Sequence, residues 1–224
     1  MAPKIFVTGV TGYIGGDTLY ALYTTHIEFT YTALVRTQDK GNKIKKAYPN
    51  INIILGDLDK SKALEEEIAK ADVVIYTADV LDHEGAARAI AKGLASRHSN
   101  ENPGFWLHTF GTLTNLPNDV FQRNVNNIVL EAGKKDSKKV KTAIVYPPAI
   151  YGFIHLSKEF ISIIGANKVC WSHAHVADLA DVFVLLAEPA VAKGHFFMEN
   201  GEHAKAKRAR RFLGWKPHKS SMGG

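Results

Sequence analysis

A single cysteine, Cys170, among 224 residues excludes an internal disulfide and fits a reducing, cytoplasmic compartment. No stretch approaches the roughly eighteen uninterrupted apolar residues that a membrane span requires. The opening Met1-Ala2-Pro3-Lys4 lacks the cationic head, apolar middle and cleavage site of a secretory leader. Glycine and proline, at 18 and 8 residues, sit near ordinary usage, which excludes collagen-like and low-complexity chains. No segment repeats itself at the spacing of a solenoid or propeller. What is present, 46% hydrophobic and 22% charged residues, is enough to bury a proper core.

Nor is the chain uniformly basic, despite a formal charge of +6. Seven of its 28 basic residues lie between Lys205 and Lys219 with no acid among them, and the remaining 21 face 22 acidic residues. The basicity therefore belongs to the C-terminal stretch, where Phe212, Leu213 and Trp215 read as packing residues beside a solvated helix face. No aromatic-interleaved RNA motif or zinc-finger spacing accompanies it, so nucleic acid is not an expected partner.

Two hydrophobic periods alternate along the first 146 residues. Apolar runs at Lys4–Thr8, Phe29–Arg36, Ile51–Leu55, Asp72–Tyr76, Phe105–His108 and Val140–Tyr146 predict strands. Between them lie stretches of helical period at Tyr13–Tyr23, Ser61–Lys70, Glu84–Arg97 and Val120–Ala132, and a charged helix after the second strand. Near-continuous apolar strands alternating with helices predict an α/β fold, a doubly wound parallel sheet covered on both faces. The alternation weakens after Gly152, where helices are expected near Glu159–Ile164 and Val176–Ala187. No linker separates the halves. Residues 1–152 are therefore expected to form the core and 153–224 a small, abbreviated C-terminal lobe packed on the same domain.

The first strand runs into Thr8-Gly9-Val10-Thr11-Gly12-Tyr13-Ile14-Gly15, which opens the first helix. Gly9 permits a tight turn, Gly12 lets the backbone approach a pyrophosphate, and Gly15 lets the helix pack on the sheet. The amides and dipole of the helix start favour the anion. This strand–turn–helix context predicts a Rossmann dinucleotide site. The dinucleotide is chosen at the end of the second strand, where a carboxylate would bind the adenosine ribose and repel a 2′-phosphate. Arg36 stands there instead, and a charge-assisted bond of about 1.5–3 kcal/mol favours NADP over NAD.

Several of these segments carry a family resemblance. Thr8 to Gly15, with Gly9, Thr11, Gly12, Tyr13, Ile14 and Gly15, resembles the TGxxGxxG turn of extended and atypical short-chain dehydrogenases/reductases, including NmrA-like and epimerase-like proteins. Gly56-Asp57-Leu58-Asp59 resembles their segment after the third strand, which implies that Asp57 and Leu58 contact the adenine. Tyr76-Thr77-Ala78 resembles the stretch that lines the cofactor ribose. Tyr146-Pro147-Pro148-Ala149-Ile150-Tyr151-Gly152 is similar to the proline-containing turn beside the nicotinamide, which implies roles for Tyr146, Pro147, Pro148 and Ile150. His175-Val176-Ala177-Asp178-Leu179-Ala180 and Leu213-Gly214-Trp215-Lys216-Pro217 look like the family's late helix start and ending.

The family's proton chemistry is missing. Its members pair a tyrosine acid/base with a lysine four residues later and a serine or threonine from the fifth strand, which suits a proton donor beside a hydride carrier. Here the residues four places after the eight tyrosines are Asp17, Thr24, Ile27, Val35, Asn52, Val80, Ile150 and His155, and none is lysine. Alignment of the helix through Arg123–Glu131 puts Asn118 and Gln122 at the pair. Phe110 takes the place of the hydroxyl, leaving Thr109 and Thr112 as the remaining catalytic candidates. The chain is also short for the family after Gly111, Gly152 and Ala204.

No metal is expected. On a strand His173 and His175 share one face while Cys170 lies opposite His173, a poor ligand geometry. His83 follows the fourth strand on the expected cofactor side and reads as a solvated loop histidine rather than a cofactor contact, and no nucleophile elbow supports hydrolysis. The resemblance implies an NADP-dependent oxidoreductase acting on a small carbonyl or alcohol, or a non-catalytic NADP(H) sensor. The expected partners are a small-molecule substrate and a second copy in a homodimer, with no nucleic acid and no membrane.

Overall fold

The computed structural model describes residues 2–78, 83–110, 124–147, 149–153, 155, 160–161, 173–188 and 207–219. Thr112, Pro148 and Cys170, and the pair positions Asn118 and Gln122, lie outside them. Strands β1 (Lys4–Val7), β2 (Thr30–Val35), β3 (Asn52–Leu55), β4 (Val73–Tyr76), β5 (Gly104–Thr109) and β6 (Val140–Val145) form one sheet in the order β3-β2-β1-β4-β5-β6. Every pairing is parallel. The order reverses between β1 and β4, which is where open α/β sheets bind ligands, beyond the carboxyl ends of the strands.

Each strand divides its side chains between two cores, as the period of two requires. Ile5, Val7, Ala33, Val35, Ile75 and Leu107 face helices α1 (Tyr13–Thr25), α2 (Gln38–Ala47) and α6 (Val176–Ala187). Phe6, Val74, Tyr76, Trp106 and Ile144 face α3 (Ser61–Ile68), α4 (Glu84–Arg97) and α5 (Asn124–Lys135). This is a Rossmann-type α/β sheet wound on both faces. Among the described residues no helix is long and apolar enough to cross a membrane.

Residues from the C-terminal third complete the first core: Leu179, Val182, Phe183 and Leu186 of α6, with Ala209 of α7 (Lys207–Leu213) and Trp215. The His175 imidazole caps α6 by accepting from the Ala177 amide at 3.1 Å. Trp215 Nε1 donates to the Asp178 carbonyl at 2.9 Å, and the His218 amide donates to the Asp178 carboxylate at 2.8 Å, so one residue anchors the ending.

A three-stranded sheet, β8-β7-β9, follows β6: β7 (Ala149–Phe153) pairs antiparallel with β8 (Phe160–Ile161) and parallel with β9 (His173–His175). The helix expected near Glu159–Ile164 is corrected here, because Phe160 and Ile161 pair with Phe153 and Gly152. A two-residue strand is too short to show a period. Its state is set by a partner outside its own window.

Candidate functional site

At the switch point the ends of β1 and β4 are laced together. Thr77 Oγ1 donates to the Thr8 carbonyl at 2.7 Å, and the Thr77 amide donates to Thr8 Oγ1 at 3.2 Å. The chain then turns at Gly9, whose φ of +73 needs glycine, and the Gly12 amide returns to the Gly9 carbonyl at 2.8 Å. A Cβ at Gly9 would stand 2.6 Å from Thr77 Oγ1, and one at Gly15 would run into Gly9 and Thr77, so both glycines serve close packing. Gly12 differs. It is the N-cap of α1 in extended backbone, with no side chain capping the helix. The first-turn amides of Tyr13, Ile14 and Gly15 are thus open to an anion.

These elements wall a cavity of about 560 Å³, within the usual range for a small-molecule site. Gly9, Thr11, Gly12, Arg36, Asp57, Leu58, Thr77 and Ala78 all line it, so eight of the residues singled out from sequence share one space. Lys40 and His83 line it as well. Lys40 enters because Thr37 caps α2 through the Lys40 amide, at 3.4 Å, and turns the first helical residues towards the cavity. His83 is not the solvated loop residue expected. It is the N-cap of α4, and its Nδ1 lies 3.5 Å from Asp59 Oδ1 across the cavity mouth. Neither Arg36 nor Lys40 forms an ion pair with any described residue. Their charges are available to a ligand.

The remaining residues lie outside that cavity's lining. Ile14 and Ile150 pack against the first core, and Tyr13 reaches over to donate to the Gly152 carbonyl at 3.2 Å. Burial, with Asp17 adding to it, pushes the Tyr13 hydroxyl up to about 12. Tyr146 and Pro147 are buried at the end of β6, and the Tyr146 hydroxyl accepts from Asn126 Nδ2 at 3.3 Å. Phe110 is buried edge-on to Tyr146, with ring centroids 5.9 Å apart, so its position supplies a packed ring and no hydroxyl. The Thr109 hydroxyl is buried and has no hydrogen-bond partner among the described residues.

Beneath this end of β5 lies His108, whose Nε2 donates to Asn126 Oδ1 at 3.1 Å. Burial lowers the His108 pKa to about 3, so the ring stays neutral in the folded protein. The unfolded chain takes up a proton near the ordinary value of 6.5, so stability is full above that pH and is lost as pH falls towards 3. Between pH 7 and pH 5 this one group should cost about 2 kcal/mol, and His108→Phe should flatten that part of the curve. Urea titrations of both proteins at the two pH values measure it.

The fold agrees with comparisons to known proteins. Residues 9–143 match the NAD(P)H-binding family. An oxidase of Acremonium sp. is 32% identical over 272 residues, covering 94% of this chain and 78% of that one. That match is longer than this chain's own 224 residues, so the relative carries internal segments without a counterpart here. An uncharacterised protein of Saccharomyces cerevisiae is 26% identical over 216 residues, covering 83% of this chain and 70% of the other. Among solved structures, a UDP-N-acetylglucosamine 4-epimerase from Bacillus cereus superposes with a TM-score of 0.70 at 12% identity, over 98% of this chain and 95% of that one. Vestitone reductase from alfalfa gives 0.67 at 16% identity, over 87% and 76%. Such distant structures speak for the fold. The chain belongs to the NAD(P)H-binding family.

Proposed function

We propose that this protein is an NADP(H)-dependent oxidoreductase acting on a small carbonyl or alcohol. The observation that carries the reading is the adenosine end of the cavity, lined by two cations without ion-pair partners among the described residues, Arg36 just after β2 and Lys40 in the first turn of α2. The position that would hold a ribose-binding carboxylate is an arginine. The α1 amides would hold the pyrophosphate, Asp57 and Leu58 the adenine, and Thr77 and Ala78 the ribose. Tyr146, Pro147 and Ile150 would flank the nicotinamide from β6 and β7. The bound cofactor supplies hydride; the chain's own part is to orient it and exclude water from one face.

Titration of NADPH and NADH by fluorescence tests this reading. NADPH should bind at least about tenfold more tightly, the worth of one charge-assisted bond. Arg36→Ala should weaken NADPH by a similar factor and leave NADH nearly untouched, whereas equal affinities in the wild type would remove the role given to Arg36.

A second reading, an NADP(H)-binding sensor without turnover, is favoured by one observation. Phe110 fills the position of the fifth-strand hydroxyl and is packed in the core. The nicotinamide-side turn favours the first reading, because recognition of the adenosine half alone has no use for it.

A further inference from the structure

Asp17 is a carboxylate where the fold has no evident need of one. It lies in the second turn of α1 and is 1% exposed, a degree of burial that carboxylates almost never reach unpaired. Its Oδ1 is 2.5 Å from His155 Nδ1, and its Oδ2 has no hydrogen-bond partner among the described residues. His155 follows β7 and stacks on Tyr20 of α1, with ring centroids 3.9 Å apart and planes 11° from parallel. One turn nearer the cavity, Tyr13 of α1 donates to the Gly152 carbonyl. Tyr13, Asp17 and Tyr20 are spaced i, i+4, i+7, so one stripe of α1 meets Gly152 and His155 at three points. The same helix begins at Gly12, under the site proposed for the pyrophosphate.

We propose that Asp17 and His155 are positioning residues, a polar clasp that holds the far end of β7 against α1 and so fixes the nicotinamide wall relative to the phosphate site. The proposal rests on the dinucleotide reading above. A buried carboxylate–imidazole pair adds little stability over an apolar pair of equal volume, but it fixes direction. The other titratable groups facing Asp17 are Tyr13 and Tyr20 of α1, Tyr48 after α2, and His175 before α6. Burial and then Asp17 push the Tyr48 hydroxyl up to about 12, and burial lowers His175, so neither supplies a cation near neutral pH. No lysine or arginine among the described residues pairs with Asp17. Among the described residues, His155 is its hydrogen-bond partner.

The test separates the two halves of the ligand. NADP+ and 2′,5′-ADP, which carries the adenosine and both of its phosphates without the nicotinamide half, are titrated calorimetrically into wild type, Asp17→Asn, His155→Phe and the double variant. His155→Phe keeps a ring to stack on Tyr20 but removes the donor. Each single variant should weaken NADP+ about tenfold while 2′,5′-ADP stays within about twofold, and the double variant should be no worse than the weaker single. His155→Gln, which restores a donor on a flexible stem, should recover part of the loss, and it carries the test if His155→Phe does not fold. Unchanged NADP+ affinity in folded variants, or parallel weakening of both ligands, would overturn the clasp while leaving the dinucleotide reading intact. A wild type that binds neither ligand would overturn that reading, and the clasp with it.

Discussion

Gly12→Val is expected to abolish dinucleotide binding, weakening it by at least about a hundredfold, in a protein that still folds. The three glycines of the turn are not equivalent, and their surroundings say which one tests the ligand. Gly9 has a positive φ and Thr77 against it, and Gly15 is packed onto Gly9 and Thr77, so substitutions at either strain the turn itself. Gly12 has φ −90 and ψ 177, a conformation open to any residue, and a Cβ there would meet only the Gly9 carbonyl, at 3.2 Å. That contact asks for a shift of a few tenths of an ångström. The two methyls of valine would then project over the open amides of α1, where a pyrophosphate has to approach. Circular dichroism melting beside an NADPH titration decides the matter. A folded variant that still binds would make the turn purely structural.

Carbonyl reduction is expected to run about 10²–10⁴-fold more slowly than in family members that carry the tyrosine–lysine pair. No tyrosine in the sequence has a lysine four residues on to lower its pKa. Burial instead pushes Tyr13 and Tyr48 up to about 12, and raises Tyr31 and Tyr151 as well. Groups shifted that way stay protonated throughout the neutral range, so they contribute no acid or alkaline limb to a rate profile there. His108, held near 3, stays neutral throughout the same range. Whatever rate remains comes from holding hydride donor and carbonyl together. Thr109 at the end of β5 offers a hydroxyl with no partner among the described residues, so Thr109→Val should lower the residual rate. Thr142→Val, which removes another such hydroxyl within β6, should not. NADPH oxidation with a panel of aldehydes, ketones and enones, from about pH 5 to 9, is the assay. Fast turnover with a bell-shaped profile would contradict the account and exclude the sensor reading.

Much of the fold was legible because its signals are local. Continuous apolar runs such as Val73–Tyr76 mark strands buried on both faces, and the Thr8–Gly15 turn declares its own backbone. The start of α6 was legible from the resemblance of His175–Ala180 to the family's late helix start, and the structure adds the His175 cap that no sequence signal announced. Position in three dimensions was less legible. Lys40 carries no sequence signal for a cavity and His83 only its place after the fourth strand, and both reach it because helices α2 and α4 begin beside it. Asp17 reads in sequence as an ordinary polar helix residue. Only the packing of α1 against α6 and β7 shows that it is buried. Phe160 and Ile161 failed as a helix for the opposite reason: their pairing with β7 outweighs a weak local preference.

The most direct measurement is a structure of the protein with NADP+ bound. The account predicts the pyrophosphate over the amides of Tyr13 to Gly15, the adenine beside Asp57 and Leu58, and the 2′-phosphate within hydrogen-bond distance of Arg36 and Lys40. A dinucleotide seated elsewhere, or one in this cavity with its 2′-phosphate directed away from both cations, would contradict it.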